Sequence, residues 1–174
     1  MSEVNQPLVA VENLVKYFRQ RSGSNGSKFV VRAVENVSFT IAGGETLGLV
    51  GESGSGKSTI GRLLLRLVEP TAGKFVFRGT SIYDLGKREM HAVRREMQIV
   101  FQDPYGAFNP RMSIGRIIAE ALELRGIKSR TERSTETDRL LEMVQLSPDV
   151  RNRYPHEFSG GQRQRLGIAR ALAV

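Results

Sequence analysis

The sequence contains no cysteine, which excludes disulfides and thiolate metal sites and fits the cytosol. It also has no apolar run of the roughly 20 residues that a helix needs to cross a bilayer. The segment Met1–Pro7 lacks the basic start and apolar stretch of a secretory signal, so we expect no signal peptide. The composition therefore predicts an ordinary globular domain.

Charge of one sign is in excess, with 26 Lys and Arg against 18 Asp and Glu and a formal net charge of +8 in 174 residues. A basic balance can indicate a nucleic acid, a membrane surface or an anionic ligand. The basic residues are scattered, with short clusters such as Lys87-Arg88 and Arg94-Arg95 and no interleaved aromatic platforms. This distribution favours a solvated surface, and we expect no nucleic acid partner.

Two β-rich segments open the chain. Leu8–Phe18 and Phe29–Ile41 predict an antiparallel strand pair joined by the Gly/Ser/Asn-rich loop Arg21–Lys28. Three shorter segments also predict strands: Thr46–Val50 and Met97–Phe101 as buried ones, and Lys74–Phe77.

Helical periodicity follows. The first predicted helix follows the Gly-rich segment and is ended by Pro70. Its apolar face comprises Ile60, Leu63, Leu64, Leu67 and Val68. Lys87–Arg95 predicts a polar helix. After Ser113, a plausible N-cap, the same spacing recurs at Ile114, Ile117, Ile118, Ala121 and Leu122. A further helix is predicted over Thr131–Leu146, and another opens at Ser159, so the region Arg111–Pro155 is expected to be all helical.

The segment Gly51–Ser58 fits G-x-x-x-x-G-K-[ST], between a predicted strand and an amphipathic helix. Glycines let backbone N–H groups turn toward phosphate oxygens, and the helix N-terminus adds its positive dipole end. A chance match in such a chain is on the order of one per cent. The loop predicts nucleotide binding without choosing among kinases, GTPases, helicases and transport ATPases.

Two further features narrow that choice. Ser159-Gly160-Gly161-Gln162 opens a helix and is either a second anion site or a plain helix cap. Gln102 directly follows the predicted strand Met97–Phe101, where α/β proteins place ligand-contacting groups, although a lone Gln is usually a surface residue.

In order, these features resemble the ABC ATPase family. Gly51–Thr59 is similar to its Walker A motif, Gln102 to its Q-loop, and Phe158–Gln162 to its LSGGQ signature with Phe for Leu. The segments Val100–Arg111 and Tyr154–Arg165 resemble the oligopeptide and dipeptide importers. The resemblance implies an α/β fold: a P-loop (RecA-like) core, an N-terminal antiparallel β subdomain and an inserted all-helical subdomain.

The resemblance also implies that residues 1–174 are one partial cassette, divided into 1–110, 111–157 and 158–174. Its cofactors would be ATP and Mg²⁺. Lys57 and Gln102 would be catalytic, Ser58 and Gln102 would hold the metal, and Phe18, with Tyr17 second, would stack on adenine. The other implied nucleotide contacts are Gly51, Ser53, Gly54, Ser55, Gly56, Lys57, Ser58, Thr59, Ser159, Gly160, Gly161 and Gln162.

The implied partners are a second ATPase subunit facing head to tail, membrane permease subunits and, indirectly, a solute-binding protein. The implied location is peripheral, at the cytoplasmic face of the membrane. The family's Walker B Asp and general-base Glu would come after Val174, so we expect these 174 residues alone to be poor at hydrolysis. Two alternatives stay open: a soluble ABC ATPase acting on nucleic acid and a non-catalytic nucleotide-binding fragment.

Four other residues receive no ligand role. Arg163 and Arg165 are expected to face solvent or cap acidic neighbours. The two histidines, His91 and His156, lie in no ligand-like cluster and are expected at the surface or in packing.

Overall fold

The structure is a computed structural model that describes residues 6–22, 27–102, 106 and 108–174. The chain divides into two compact units, 1–92 and 93–174. The sequence-based boundaries at residues 110 and 157 stay a prediction.

An antiparallel sheet organises the first unit. Its strands are β1 (Val9–Ser22), β2 (Ser27–Ile41), β3 (Ala72–Phe77) and β4 (Thr80–Ser81), in the order β2-β1-β3-β4. The predicted strand pair is confirmed, with Val9 opposite Ile41 and Phe18 opposite Val31. The centre of the linking loop, residues 23–26, lies outside the described residues.

Helix α1 (Lys57–Leu64) packs on β2 of this sheet, and α2 (Lys87–Glu96) runs across the boundary between the two units. Both were predicted, but α1 ends well before Pro70. Arg66 adopts a positive φ of 49°, which turns the chain and leaves Leu67 50% exposed. Its guanidinium is held by the carbonyl of Leu85 at 2.6 Å and the carboxylate of Glu69 at 2.9 Å. The prediction that Leu67 continues the buried helical face is therefore wrong.

The predictions of buried strands at Thr46–Val50 and Met97–Phe101 are also wrong. Neither segment pairs with a strand among the described residues, and Val50 is 94% exposed. A short apolar segment becomes a stable strand only when a neighbour satisfies its backbone groups and covers its side chains. In each unit, the described residues provide no such neighbour.

The second unit is helical. It contains α3 (Ile114–Arg125), α4 (Arg130–Met143) and α5 (Gly160–Ala173), with 3₁₀ turns at Pro148–Asn152 and Pro155–Glu157. No strand occurs in residues 111–155, all of which are described, so the all-helical prediction is confirmed. The predicted face of α3 is buried in full: Ile114, Ile117, Ile118, Ala121 and Leu122.

Candidate nucleotide site

The Gly-rich loop of the first unit ends in an open helix N-terminus. Gly54 and Gly56 have positive φ values of 83° and 95°, and the first helical bond runs from the Ile60 amide to the Gly56 carbonyl at 2.9 Å. No side chain caps α1, and its first turn contains no acidic residue. The positive end of the helix dipole is therefore available to an anion.

The Lys57 ammonium lies across this loop. Its Nζ donates to the carbonyl oxygens of Gly51 and Glu52, both at 2.6 Å, and to the Ser55 Oγ at 3.2 Å. A Cβ on Gly51 would lie 2.7 Å from the same Ser55 Oγ, so the loop is tight at this point. The structure thus brings Lys57, Gly51 and Ser55 together as the phosphate-loop hypothesis requires.

The remaining loop residues are open to solvent. Ser53 and Ser58 are exposed, while Thr59 is half-buried in the first turn of α1. Among the described residues no three His, Cys, Asp or Glu side chains are grouped to hold a metal ion. Hydroxyl and phosphate oxygens are donors that Mg²⁺ commonly takes in nucleotide sites, so the exposed Ser58 hydroxyl fits the expected ion.

The two candidate adenine-stacking residues on β1 differ in their surroundings. The Tyr17 hydroxyl donates to the Glu35 carboxylate at 2.5 Å, a bond that raises the pKa of Tyr17, and Arg32 lies 5.6 Å from its ring centroid. The half-buried Phe18 ring has the Lys16 ammonium at 4.8 Å from its centroid. Each ring therefore has one cationic neighbour, and the two side chains differ in that Phe18 has no polar group that needs a partner.

Gln102 is exposed and lies at a bend. Part of the importer-like segment that follows it, residues 103–105 and 107, is outside the described part of the chain. Its far end is anchored: Phe108 is 6% exposed, and the Arg170 guanidinium lies 5.1 Å from its ring centroid. Burial lowers the pKa of Arg170.

Ser159 caps α5 through a capping box. Its Oγ accepts from the Gln162 amide at 3.3 Å, and its own amide donates to the Gln162 Oε1 at 3.0 Å. Phe158 is buried beneath the turn, whereas Gly160 and Gly161 are exposed. The capping box therefore occupies the side-chain oxygen of Gln162. Because Gly160 and Gly161 are exposed, the start of the helix stays accessible to solvent.

One expectation for α5 is wrong in part: Arg163 does not face solvent, since it is 8% exposed and belongs to the buried face of the helix. The signal was present in the sequence, since Arg163, Leu166 and Gly167 share one face at helical spacing. Arg165 does face outward, where its Nη1 lies 3.5 Å from the Gln145 carbonyl. His156 stacks on Tyr154 at 5.8 Å, which fits a packing role.

Residues 34–174 match the family described as ABC transporter. The chain belongs to the ABC transporter family. A Brucella ovis protein named for peptide import and ATP binding is 52% identical over 168 residues, covering 97% of this chain and 51% of the relative. The glutathione import ATP-binding protein GsiA of Escherichia coli is 52% identical over 170 residues, covering 97% of this chain and 27% of GsiA.

Solved structures of ABC cassettes share the fold. The dimeric ATP-binding cassette MJ0796, bound to ADP and Pi, superposes with a TM-score of 0.80 at 32% identity, covering 95% of this chain and 69% of that one. The α/β cassette fold expected from the sequence is therefore confirmed. The chain spans about half the length of the Brucella relative. No helix in the described residues is both long and apolar enough to span a bilayer.

Proposed function

We propose that this chain is the nucleotide-binding part of an ATPase subunit that energises import of peptides or similar small solutes. The observation that carries the proposal is the Gly51–Thr59 loop, with Lys57 held across it at the uncapped start of α1. The import relatives at 52% identity support the transport role.

The loop residues bind and orient the triphosphate. Backbone N–H groups of Gly54, Gly56 and the start of α1 surround the phosphate oxygens. The Lys57 ammonium exchanges its loop carbonyl partners for the β- and γ-phosphates, and so retains charge-assisted bonds. Ser53, Ser55 and Thr59 supply hydroxyls next to the same oxygens, and Phe18 stacks on the adenine.

Ser58 and Gln102 would hold Mg²⁺ beside the phosphates. Bound there, the ion neutralises charge that develops on the transferring phosphoryl group. Gln102 orients the attacking water and is the residue through which nucleotide state reaches a membrane subunit.

The start of α5 serves a nucleotide held by a second ATPase subunit. Ser159, Gly160, Gly161 and Gln162 present a hydroxyl and helix N-terminal amides, with no acidic side chain in the first turn to oppose an anion. The dimeric state of the related cassette supports this arrangement. The subunit would lie peripherally at the cytoplasmic face of the membrane, in contact with permease subunits. A solute-binding protein would deliver the solute to those permease subunits.

Lys57→Ala tests nucleotide binding. Loss of charge-assisted bonds worth about 1.5–3 kcal/mol should weaken ATP affinity at least about tenfold by calorimetric titration. Lys74→Ala, which removes an exposed lysine from β3, is the matched control and should leave the affinity unchanged. Equal ATP affinity in Lys57→Ala and the unaltered chain would refute the role given to Lys57.

The rate of phosphate release from ATP shows whether residues 1–174 hydrolyse the nucleotide or only bind it. These residues lack the Walker B pair that the family resemblance implies, and loss of a general base typically lowers the rate about 10²–10⁴-fold. We therefore expect ATP binding with slow release compared with a chain that extends through those motifs. Comparable turnover by the two chains would show that the catalytic groups lie within residues 1–174.

A further inference from the structure

A cavity of about 530 Å³ lies within the second unit, between α3, the first half of α4 and the 3₁₀ turn Pro148–Asn152. Its charged lining consists of Arg116, Arg130, Arg133 and Arg151 against Glu120 and Glu123. With Asp138, which pairs with Arg151 from beside the lining, four positive and three negative side chains leave a formal excess of one positive charge. The cavity shares no residue with the Gly-rich loop or the start of α5.

Two of the arginines are fixed in place. Arg133 Nη1 donates to the carbonyls of Ile127 at 2.9 Å and Lys128 at 2.8 Å, and its Nη2 lies 3.0 Å from Glu123. Arg151 Nη1 donates to the Ser134 Oγ at 3.0 Å and to Asp138 at 3.2 Å. These bonds hold the guanidinium groups as a rigid part of the wall.

The other two arginines are less constrained. Arg116 lies 3.8 Å from Glu120 with 72% of its side chain exposed, and Arg130 occupies the first position of α4. Their positions in the lining allow both to turn toward an anion in the cavity. Guanidinium groups match the geometry of phosphate oxygens and bind them through paired hydrogen bonds.

The N-terminus of α3 reinforces the positive potential. Ser113, Gly115 and Arg116 line the cavity, no side chain caps this helix, and its first turn contains no acidic residue. A Cβ on Gly115 would lie 3.1 Å from the Arg151 carbonyl oxygen, so the glycine allows the 3₁₀ turn to approach the helix closely.

Thr137 gives an independent indication of a ligand. Its side chain lines the cavity although the residue is only 3% exposed. Within the described part of the chain, its hydroxyl forms no hydrogen bond with another residue. The hydroxyl is not sealed from solvent, and the cavity that the residue lines is the place from which an oxygen-rich ligand would reach it.

From these features we propose that the cavity is a second anion site, which binds the phosphate group of a small soluble molecule. Arg116 and Arg130 contact the phosphate oxygens, Arg133 and Arg151, each paired with a carboxylate, form a fixed polar wall, and Thr137 donates its hydroxyl.

The test is a titration of the full chain with inorganic phosphate, in a Lys57→Ala background that suppresses binding at the nucleotide loop. Affinity is followed by calorimetry and by amide NMR shifts of Gly115 and Thr137. Arg130→Gln should weaken phosphate binding about fivefold or more. Lys128→Gln makes the same charge change two residues away, outside the cavity lining, and should have no effect.

Thr137→Val separates ligand binding from folding. Replacing a hydroxyl that has no partner among the described residues by a methyl group should preserve the melting temperature of the empty protein while weakening phosphate binding about threefold. Binding to vesicles that contain phosphatidylglycerol tests whether the phosphate comes from a lipid instead of a soluble molecule. Vesicle binding that depends on Arg130, without any binding of free phosphate, would overturn the proposal. So would the absence of phosphate binding, or equal affinities in Arg130→Gln, Thr137→Val and Lys128→Gln.

Discussion

Gly56 lies so close to Ala33 that a Cβ on Gly56 would be 2.2 Å from the Ala33 carbonyl oxygen. The last glycine of the loop is therefore fixed by β2 as well as by its own φ of 95°. Because the obstacle is backbone, a side chain cannot be accommodated by a rotamer change.

Gly56→Ala should therefore lower both stability and ATP affinity by displacing the start of α1 from β2. We expect about 2–4 kcal/mol in the free energy of unfolding, measured with denaturant, from combined φ strain and overlap. Gly54→Ala is the matched control, since Gly54 also has a positive φ of 83° but open space at its Cβ. Equal losses in the two variants would mean that the contact with Ala33 is unimportant.

The role of Ser159 beyond helix capping can be isolated with a second serine. Ser159 and Ser129 both cap a helix through a 3.3 Å bond to a backbone amide, at the starts of α5 and α4. Alanine at either position should reduce stability by about 1 kcal/mol. Only Ser159→Ala should also weaken ATP-dependent dimerisation. Light scattering on the chain extended through the Walker B motifs measures that dimerisation. If Ser129→Ala weakens dimerisation equally, Ser159 acts only as a cap.

Phe18 and Tyr17 can be distinguished as the adenine-stacking residue. Stacking on a base contributes about 1–3 kcal/mol, so Phe18→Ala should weaken ATP binding about tenfold by fluorescence titration. Tyr17→Ala should have a smaller effect, because the Tyr17 hydroxyl is already bonded to Glu35, which holds that side chain in place. A larger loss in Tyr17→Ala would assign the adenine contact to Tyr17.

We expect Tyr83 to make the stability of the first unit sensitive to alkaline pH. Desolvation, followed by the charge of Glu69, raises the pKa of Tyr83 to about 12, and its hydroxyl donates to the Leu63 carbonyl at 3.3 Å. Below a pH of about 10 the tyrosine is protonated in both the folded and unfolded states, so its contribution is fully present. As pH rises from about 10 to 12 the unfolded state loses its proton first, and stability falls.

Tyr83→Phe should remove this part of the pH dependence. After allowance for partial exposure, we expect the unaltered chain to lose about 1–2 kcal/mol more than the variant between pH 10 and 12. Denaturant unfolding at each pH gives the free energy of unfolding of both proteins. The titration of lysines cancels in the difference because both proteins have the same lysines. Parallel stability curves for the two proteins would contradict the raised pKa.

Local patterns in the sequence determined much of this protein. Helical spacing predicted the buried face of α3 at Ile114, Ile117, Ile118, Ala121 and Leu122, because a helix face is set by residues three and four apart. The glycines and Lys57 predicted the Gly-rich loop, and Ser159 predicted the start of α5, because turn and cap geometry depend on the residues at those positions.

Other features depended on neighbours distant in the chain. Thr46–Val50 has the composition of a buried strand, yet it stays unpaired and largely exposed, because strand formation needs a hydrogen-bonding partner that local composition does not supply. The contact of Gly56 with Ala33 and the grouping of Arg116, Arg130, Arg133 and Arg151 around one cavity likewise result from packing between elements. Periodicity and motif spacing specify the conformation of a segment, whereas the side chains that surround it are decided by the tertiary structure alone.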